Sequence, residues 1–97
     1  MSNTQVFRIQ EEQLNELVHF LRNFSTEINE RMQGYQMQVE NLYNNGLPQE
    51  TFHTFQNNHL DETRSMVQQI VNKIDGESIP FIQGNIERLQ ELMNYNR

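Results

Sequence analysis

The chain has 97 residues, enough for one domain, and its lack of cysteine excludes a disulfide scaffold and a thiolate zinc site. Its net charge of -6 comes from thirteen acidic and seven scattered basic residues, which disfavours binding to nucleic acid or to anionic membranes. Two prolines, four glycines and 35% apolar residues are typical of long helices with little loop.

The first predicted element is an amphipathic helix over residues 10–43, after an extended N-terminus at residues 1–9. No cationic start precedes an apolar run there, so we expect no ordinary secretory signal. No stretch reaches the roughly eighteen consecutive apolar residues that a membrane-spanning helix needs. Apolar residues recur at steps of three or four, on one side of the helix. They are Leu14, Leu17, Leu21, Phe24, Ile28, Met32, Tyr35, Val39 and Leu42.

A turn over residues 44–48 interrupts this pattern. Gly46 suits the left-handed position that ends a helix, and Pro48 suits the first turn of the next one. So short a connection predicts an antiparallel return, and therefore a helical hairpin whose second helix covers residues 49–75. The predicted seam of this second helix is Phe52, Phe55, His59, Thr63, Met66, Ile70 and Ile74, with Leu60, Val67 and Val71 beside it.

The segment 75–80 disturbs the helical pattern with a glycine and a proline. When apolar residues resume at Ile82, the rotation of 100° per residue places them about 90° away from the preceding seam. We therefore expect a kink or a break in this segment. Residues 78–95 then either continue the second helix or form a third one.

A layer of only two helices leaves many of these apolar side chains half exposed. Burying a large one contributes roughly 1.5–3 kcal/mol, whereas ordering each residue costs about 1–2 kcal/mol. We therefore predict an all-α hairpin that assembles into a four-helix bundle, as a homodimer or as a heterodimer with a related hairpin. The alternative is that residues 82–93 fold back and close a three-helix monomer. The predicted hairpin and partner interface comprises Leu17, Leu21, Phe24, Ile28, Tyr35, His59, Met66, Val67, Ile70, Val71 and Ile74.

A turn at Gly46 also predicts the register of the hairpin, in which the numbers of facing residues sum to about 94. Tyr35 and His59 are then the polar-tipped members of two apolar seams. We hypothesise that the phenol donates a hydrogen bond to a neutral imidazole; the alternative is that His59 reaches solvent at the edge of the seam. The facing pairs are Tyr35 with His59, Ile28 with Met66, and Leu21 with Ile74.

The sequence shows no arrangement of residues that is typical of an enzyme. The histidines lack the i, i+4 spacing and the HExxH pattern of a zinc site, and no serine lies in a nucleophile elbow. His59, Asp61 and Glu62 are near enough to share a metal, but the two acids are better explained as a solvated helix face. We therefore predict a non-catalytic protein without metal or cofactor.

Three features of the sequence are shared with one known family. The opening at residues 7–14, Phe-Arg-Ile-Gln-Glu-Glu-Gln-Leu, has alternating apolar residues followed by acids and a leucine. Phe52 follows Gly46 by six residues, and the break lies at the centre of a chain of similar length. In these respects the chain resembles the small WXG-motif (WXG100, early secretory antigen-like or ESAT-6-like) helical hairpins that type VII secretion systems export.

Three features depart from that family's pattern, one of which is the interruption of the long second helix at residues 76–80. Asn44 occupies the position of its tryptophan, with Tyr43 adjacent, and Phe81 with Asn85 replaces its C-terminal signature of an aromatic residue and an acid four residues later. These departures favour a divergent branch, such as the helical proteins that partner LXG-type toxins.

The resemblance implies a type VII substrate, or a targeting partner that binds the N-terminal helical domain of a larger effector and meets the secretion machinery. Such a protein is secreted without a signal peptide, or is cytoplasmic before export. The alternatives are an acidic cytoplasmic immunity protein that binds a basic toxin, and a coiled-coil adaptor.

Overall fold

The fold consists of two long helices joined by one tight turn. The computed structural model describes residues 3–95, and in this range every residue outside the turn at residues 45–48 is helical, which confirms the predicted all-α class. Helix α1 spans Asn3–Asn44. The return helix covers residues 49–95 and consists of α2 (Gln49–Phe55), α3 (Asp61–Lys73) and α4 (Ile79–Tyr95), with π-helical turns at Gln56–Leu60 and Ile74–Ser78 between them.

Helix α1 begins well before the predicted start at residue 10, so the expected extended N-terminus is wrong over its described part. Phe7 is half-buried and precedes Leu14 by one heptad, which continues the apolar repeat toward Asn3. The far end of α4 also lies beside this segment, because Thr4 and Met93 line the same groove. The first turns of α1 therefore have a neighbour to pack against.

The turn between the helices is built on Gly46, whose φ of 112° lies in the left-handed region that favours glycine. The amide of Gly46 donates to the Tyr43 carbonyl at 3.2 Å, and the amide of Leu47 donates to the Leu42 carbonyl at 2.9 Å. These two bonds form a Schellman motif that satisfies the last carbonyls of α1. The rings of Tyr43 and Phe52, 4.4 Å apart between centroids, close the turn from the side.

The hairpin is a rod of 69 × 18 × 14 Å with a radius of gyration of 21.1 Å. A compact chain of this length would have a radius of gyration of about 13 Å. Residues 82–93 follow α3 along the first half of α1, so the alternative of a third helix folded back on the hairpin is wrong. The segment predicted to kink or break is irregular but continuous: it forms the π-helical turn at Ile74–Ser78, and Lys73 and Ile79 on either side of it have helical φ values of -64°.

The two π-helical turns keep the return helix in contact with α1 along its whole length. A π-helical turn holds one residue more than an α-helical turn, so a step of five residues returns to the same side. Both such steps in the apolar pattern, from Phe55 to Leu60 and from Ile74 to Ile79, fall on these turns. The 90° mismatch expected from a regular helix is thereby removed. The missing N–H of Pro80, one residue beyond Ile79, is a second reason for an irregular turn there.

The core between the helices has two parts. Val18, Ile74, Ile79, Ile82 and Ile86 form the cluster far from the turn, with Leu14 and Leu21 packed against it. Met32, Val39 and Leu60 form the cluster near the turn, with Tyr35, Phe52, Phe55 and Val67 packed against it. Ser25 lies between the two clusters and is the buried polar residue of the described chain.

The observed register differs from the predicted one. The numbers of contacting residues sum to 95 at Tyr43 and Phe52, to 90 at Tyr35 and Phe55, and to 100 at Ser25 and Asp75, beyond the first π-helical turn. Each π-helical turn raises the sum beyond it by about one, because it adds a residue to the return helix alone. The predicted pairing of Tyr35 with His59 is wrong: the ring of Tyr35 packs edge-on against Phe55 at 6.1 Å, and His59 is exposed. Met66, the predicted neighbour of Ile28, is exposed, whereas Leu21 and Ile74 share a cluster as predicted.

Candidate protein-binding face

One side of the hairpin carries a row of exposed apolar side chains. In an antiparallel pair of helices, the residue directly before an interface residue points to the same side of the pair on both helices. Leu17, which precedes the buried Val18, therefore lies on the same side as Phe81, which precedes the buried Ile82. Eight exposed apolar residues occupy such positions, and we refer to them as the apolar face. They are Val6, Leu17, Phe20, Phe24, Met66, Ile70, Phe81 and Leu92.

The exposure of these side chains is large. Phe81 is 74% exposed, Phe20 is 64% exposed and Met66 is 58% exposed. Single exposed apolar residues are normal on protein surfaces, but a contiguous group of this kind marks an interaction surface. Aromatic residues and methionine are also enriched at interfaces between proteins.

The opposite side of the hairpin is polar. The residue directly after an interface residue points there, and among those that follow the nine buried residues none is apolar except Pro80. The shallow grooves of about 360 and 420 Å³ on this side have rims of amides and other polar groups, such as Gln33 and Gln83. We refer to these positions as the polar face. It comprises His19, Thr26, Gln33, Glu40, Asp61, Asp75, Pro80, Gln83 and Glu87.

A groove of about 560 Å³ lies on the apolar side, between α1 and α4 at the end away from the turn. We refer to it as the distal groove. Its floor consists of Leu14, Leu17, Leu89 and Leu92, and its rim of Gln10, Gln13, Asn85 and Arg88.

The predicted interface residues divide into two groups. Leu21, Ile28, Tyr35, Val67, Val71 and Ile74 are buried or half-buried and hold the hairpin together. Leu17, Phe24, His59, Met66 and Ile70 are exposed on the apolar side. The assignment of His59, Met66 and Ile70 to the seam of the second helix is therefore wrong, because the first π-helical turn moves the seam to Leu60, Val67 and Val71.

The predicted turn residues lie together at one end of the rod. Tyr43 and Phe52 are in ring contact, and Gly46 takes the left-handed conformation between them. Asn44, at the position of the family's tryptophan, is the exposed last residue of α1.

Sequence reasoning missed Phe20, Phe81 and Leu92 as candidate binding residues. The signal for Phe81 and Leu92 was present in the two steps of five in the apolar pattern, which indicate π-helical turns and set the side on which later residues lie.

Two particular arrangements are absent from the described part of the chain. Over residues 3–95, no cluster of three histidine, aspartate or glutamate side chains is arranged to hold a metal ion. No helix in the same range combines the length and the apolar character needed to cross a membrane. Compared with known proteins, the chain matches no family model, no curated protein and no solved structure.

Proposed function

We propose that this chain is a non-catalytic protein-binding hairpin whose apolar face packs against helices of another chain to form a four-helix bundle. The observation that supports this most directly is the contrast between the two sides of the rod. Phe20, Phe24 and Phe81 are exposed on one side, whereas amides and charged groups cover the other. A monomer has no need to place its exposed aromatic residues on one side, whereas an interface requires it.

The surface area of the chain supports the same proposal. The accessible surface is 7493 Å², whereas a compact monomer of 11.7 kDa would have about 5,900 Å². The surplus, roughly 1,600 Å², is about twice the share that one partner contributes to an interface of standard size. The hairpin therefore has enough surplus surface to bury on association.

Within this class, we propose a role in type VII secretion, as a secreted substrate or as the targeting partner of a larger effector. The support is the resemblance of residues 7–14 and of the spacing from Gly46 to Phe52 to the WXG-motif hairpins. The contact between Tyr43 and Phe52 adds to it, since an aromatic pair flanks the motif glycine although Asn44 occupies the tryptophan position.

Association is tested by light scattering on the chain alone and after co-expression with proteins encoded beside its gene. We expect a complex that the double variant Phe20→Asp with Phe81→Asp abolishes. The matched control, Gln33→Asp with Gln83→Asp on the polar face, should leave the complex intact. A complex that survives the first variant and is lost with the second would contradict the proposal.

The secretion role needs a separate measurement. We expect the chain, or the effector that it binds, to appear in the culture medium only while the type VII ATPase of the host is active. A complex with a neighbouring toxin that stays in the cytoplasm and blocks the toxin's activity would instead identify an immunity protein.

A further inference from the structure

Each of the four glycines follows a residue whose side chain ends in an amide or a carboxyl group. Such a pair can react within the chain, because the backbone nitrogen of the glycine can attack the carbonyl carbon of that side chain. A glycine has no side chain to obstruct the approach. Three of these pairs lie within helices, at Gln33, Asp75 and Gln83. The fourth, Asn45 with Gly46, lies in the exposed turn and is not restrained by a helical backbone.

The chemistry of the four side chains also favours the pair in the turn. Attack on Cγ of an asparagine closes a five-membered ring, whereas attack on a glutamine closes a six-membered ring, which forms more slowly. The ionised carboxylate of Asp75 is a poor electrophile, and its Oδ1 accepts the hydrogen bond from Ser25. Reactivity and position therefore both single out Asn45.

The turn leaves the reacting atoms of this pair accessible. Asn45 and Gly46 are exposed, and a methyl group on Gly46 would meet no atom within 4 Å. The backbone amide of Gly46 donates a hydrogen bond of 3.2 Å to the carbonyl of Tyr43, which is at the long end of the usual range. Exposed turns open locally at a small cost in free energy, and such an opening frees this amide to react.

We propose that Asn45 is a site of spontaneous modification, at which the folded protein converts an asparagine into aspartate and isoaspartate. The nitrogen of Gly46 forms a bond to Cγ of Asn45, and the bond from Cγ to Nδ2 breaks. Nδ2 leaves as ammonia with the proton that the Gly46 nitrogen releases. Water then opens the cyclic imide at one of its two carbonyl carbons. Opening at Cγ gives aspartate, whereas opening at the backbone carbonyl gives isoaspartate, in which the main chain runs through Cβ and Cγ.

The modification changes the turn that joins the two helices. Isoaspartate adds one carbon to the main chain before Gly46, so the amides of Gly46 and Leu47 can no longer both reach their carbonyl partners in α1. Both products also add a negative charge to a chain of net charge -6, at the C-terminal end of α1 where the helix dipole disfavours it. The turn is therefore weakened, whereas the apolar face is chemically unchanged. The site is independent of the proposed protein-binding function.

The experiment follows residues 32–64, the tryptic peptide that contains the turn, after incubation of the full chain in mildly alkaline buffer. We expect a gain of one mass unit that fragment masses assign to Asn45, divided between two products that chromatography separates. The rate should rise with pH, because the attacking nitrogen must lose its proton. Asn45→Gln should remove the gain at this position. The matched control Asn44→Gln, which lengthens the neighbouring amide by the same methylene, should retain it, and circular dichroism verifies that both variants are helical.

The same chain unfolded in urea gives the reactivity of the sequence without the fold. A folded chain that keeps Asn45 unchanged while the unfolded chain loses it would overturn the proposal, because the turn would then protect the pair. A gain of mass that appears first at Asn44, or isoaspartate that forms at Asp75 before Asn45, would also overturn it. None of these results bears on the light-scattering test of association, so the two proposals fail separately.

Discussion

The hydroxyl of Ser25 in α1 donates a hydrogen bond of 3.1 Å to Oδ1 of Asp75 in the return helix. Ser25 is 4% exposed and separates the two apolar clusters, and Asp75 lies in the second π-helical turn. A buried hydroxyl is costly without a partner, so this bond favours the one register in which the two residues face each other.

Replacing Ser25 with alanine should lower the free energy of unfolding by about 1 kcal/mol, because the bond is lost while Asp75 returns to water. Urea unfolding measures this change. Ser65→Ala is the control, since Ser65 is exposed in α3 and its replacement brings the same gain in helix propensity. Equal stability of the two variants would show that the bond contributes nothing.

The π-helical turns predict an unusual tolerance to deletion. Deleting Asn58 shortens the step from Phe55 to Leu60 to four residues, which an ordinary α-helical turn accommodates with both side chains still facing α1. We expect the free energy of unfolding, obtained from thermal melts, to change by no more than about 1 kcal/mol.

Deleting Gln69 provides the matched control, because it also removes one exposed amide residue but from the regular helix α3. This deletion rotates Leu60 and Val67 by about 100° relative to Ile74. Because the side chains on one side of the deletion then no longer face α1, the free energy of unfolding should fall by several kcal/mol. If circular dichroism melts show both deletions to be equally harmful, the π-helical turns do not set the phase of the helix.

The sequence predicts the class and the turn of this fold, but not the side that the second helix buries. Two amphipathic helices and a left-handed Gly46 follow from apolar spacing and backbone geometry alone. The side that the return helix buries depends on the one extra residue in each π-helical turn. When the α-helical repeat of 3.6 residues is continued past the first of these turns, Met66 and Ile70 are assigned to the wrong side of the helix. The extended N-terminus was predicted wrongly because Gln10 and Glu11 occupy the steps of three and four after Phe7, so the apolar repeat in the sequence begins at Leu14. The partner of these first turns lies in α4, and the sequence does not show that contact.

Replacement by alanine should change the stability of the protein in opposite directions at Gly46 and at Gly34. A methyl group at either position meets no atom within 4 Å, so only the backbone distinguishes them. Gly46 has a φ of 112°, which an alanine adopts at a cost of about 1 kcal/mol or more. Gly34 lies in the middle of α1, where alanine gains about 0.5–1 kcal/mol. Thermal unfolding of the two variants should therefore shift to lower and higher temperature respectively, and a shift in the same direction would contradict the left-handed turn.

The final prediction separates the core of the hairpin from its binding face by comparing Ile74 with Ile70. Ile74 is 9% exposed in the cluster far from the turn, whereas Ile70 is 42% exposed on the apolar face. Ile74→Asp buries a carboxylate without a partner and should cost several kcal/mol, enough to unfold a hairpin of this size. Ile70→Asp leaves its carboxylate in water and should cost less than about 1 kcal/mol in the isolated chain.

The same Ile70 variant should nevertheless weaken the complex with a partner, because that carboxylate becomes buried only on association. Urea unfolding measures the stability of the two variants, and a binding titration measures the affinity of the Ile70→Asp chain for its partner. An Ile70→Asp chain that unfolds as readily as Ile74→Asp would place Ile70 in the core and remove it from the apolar face.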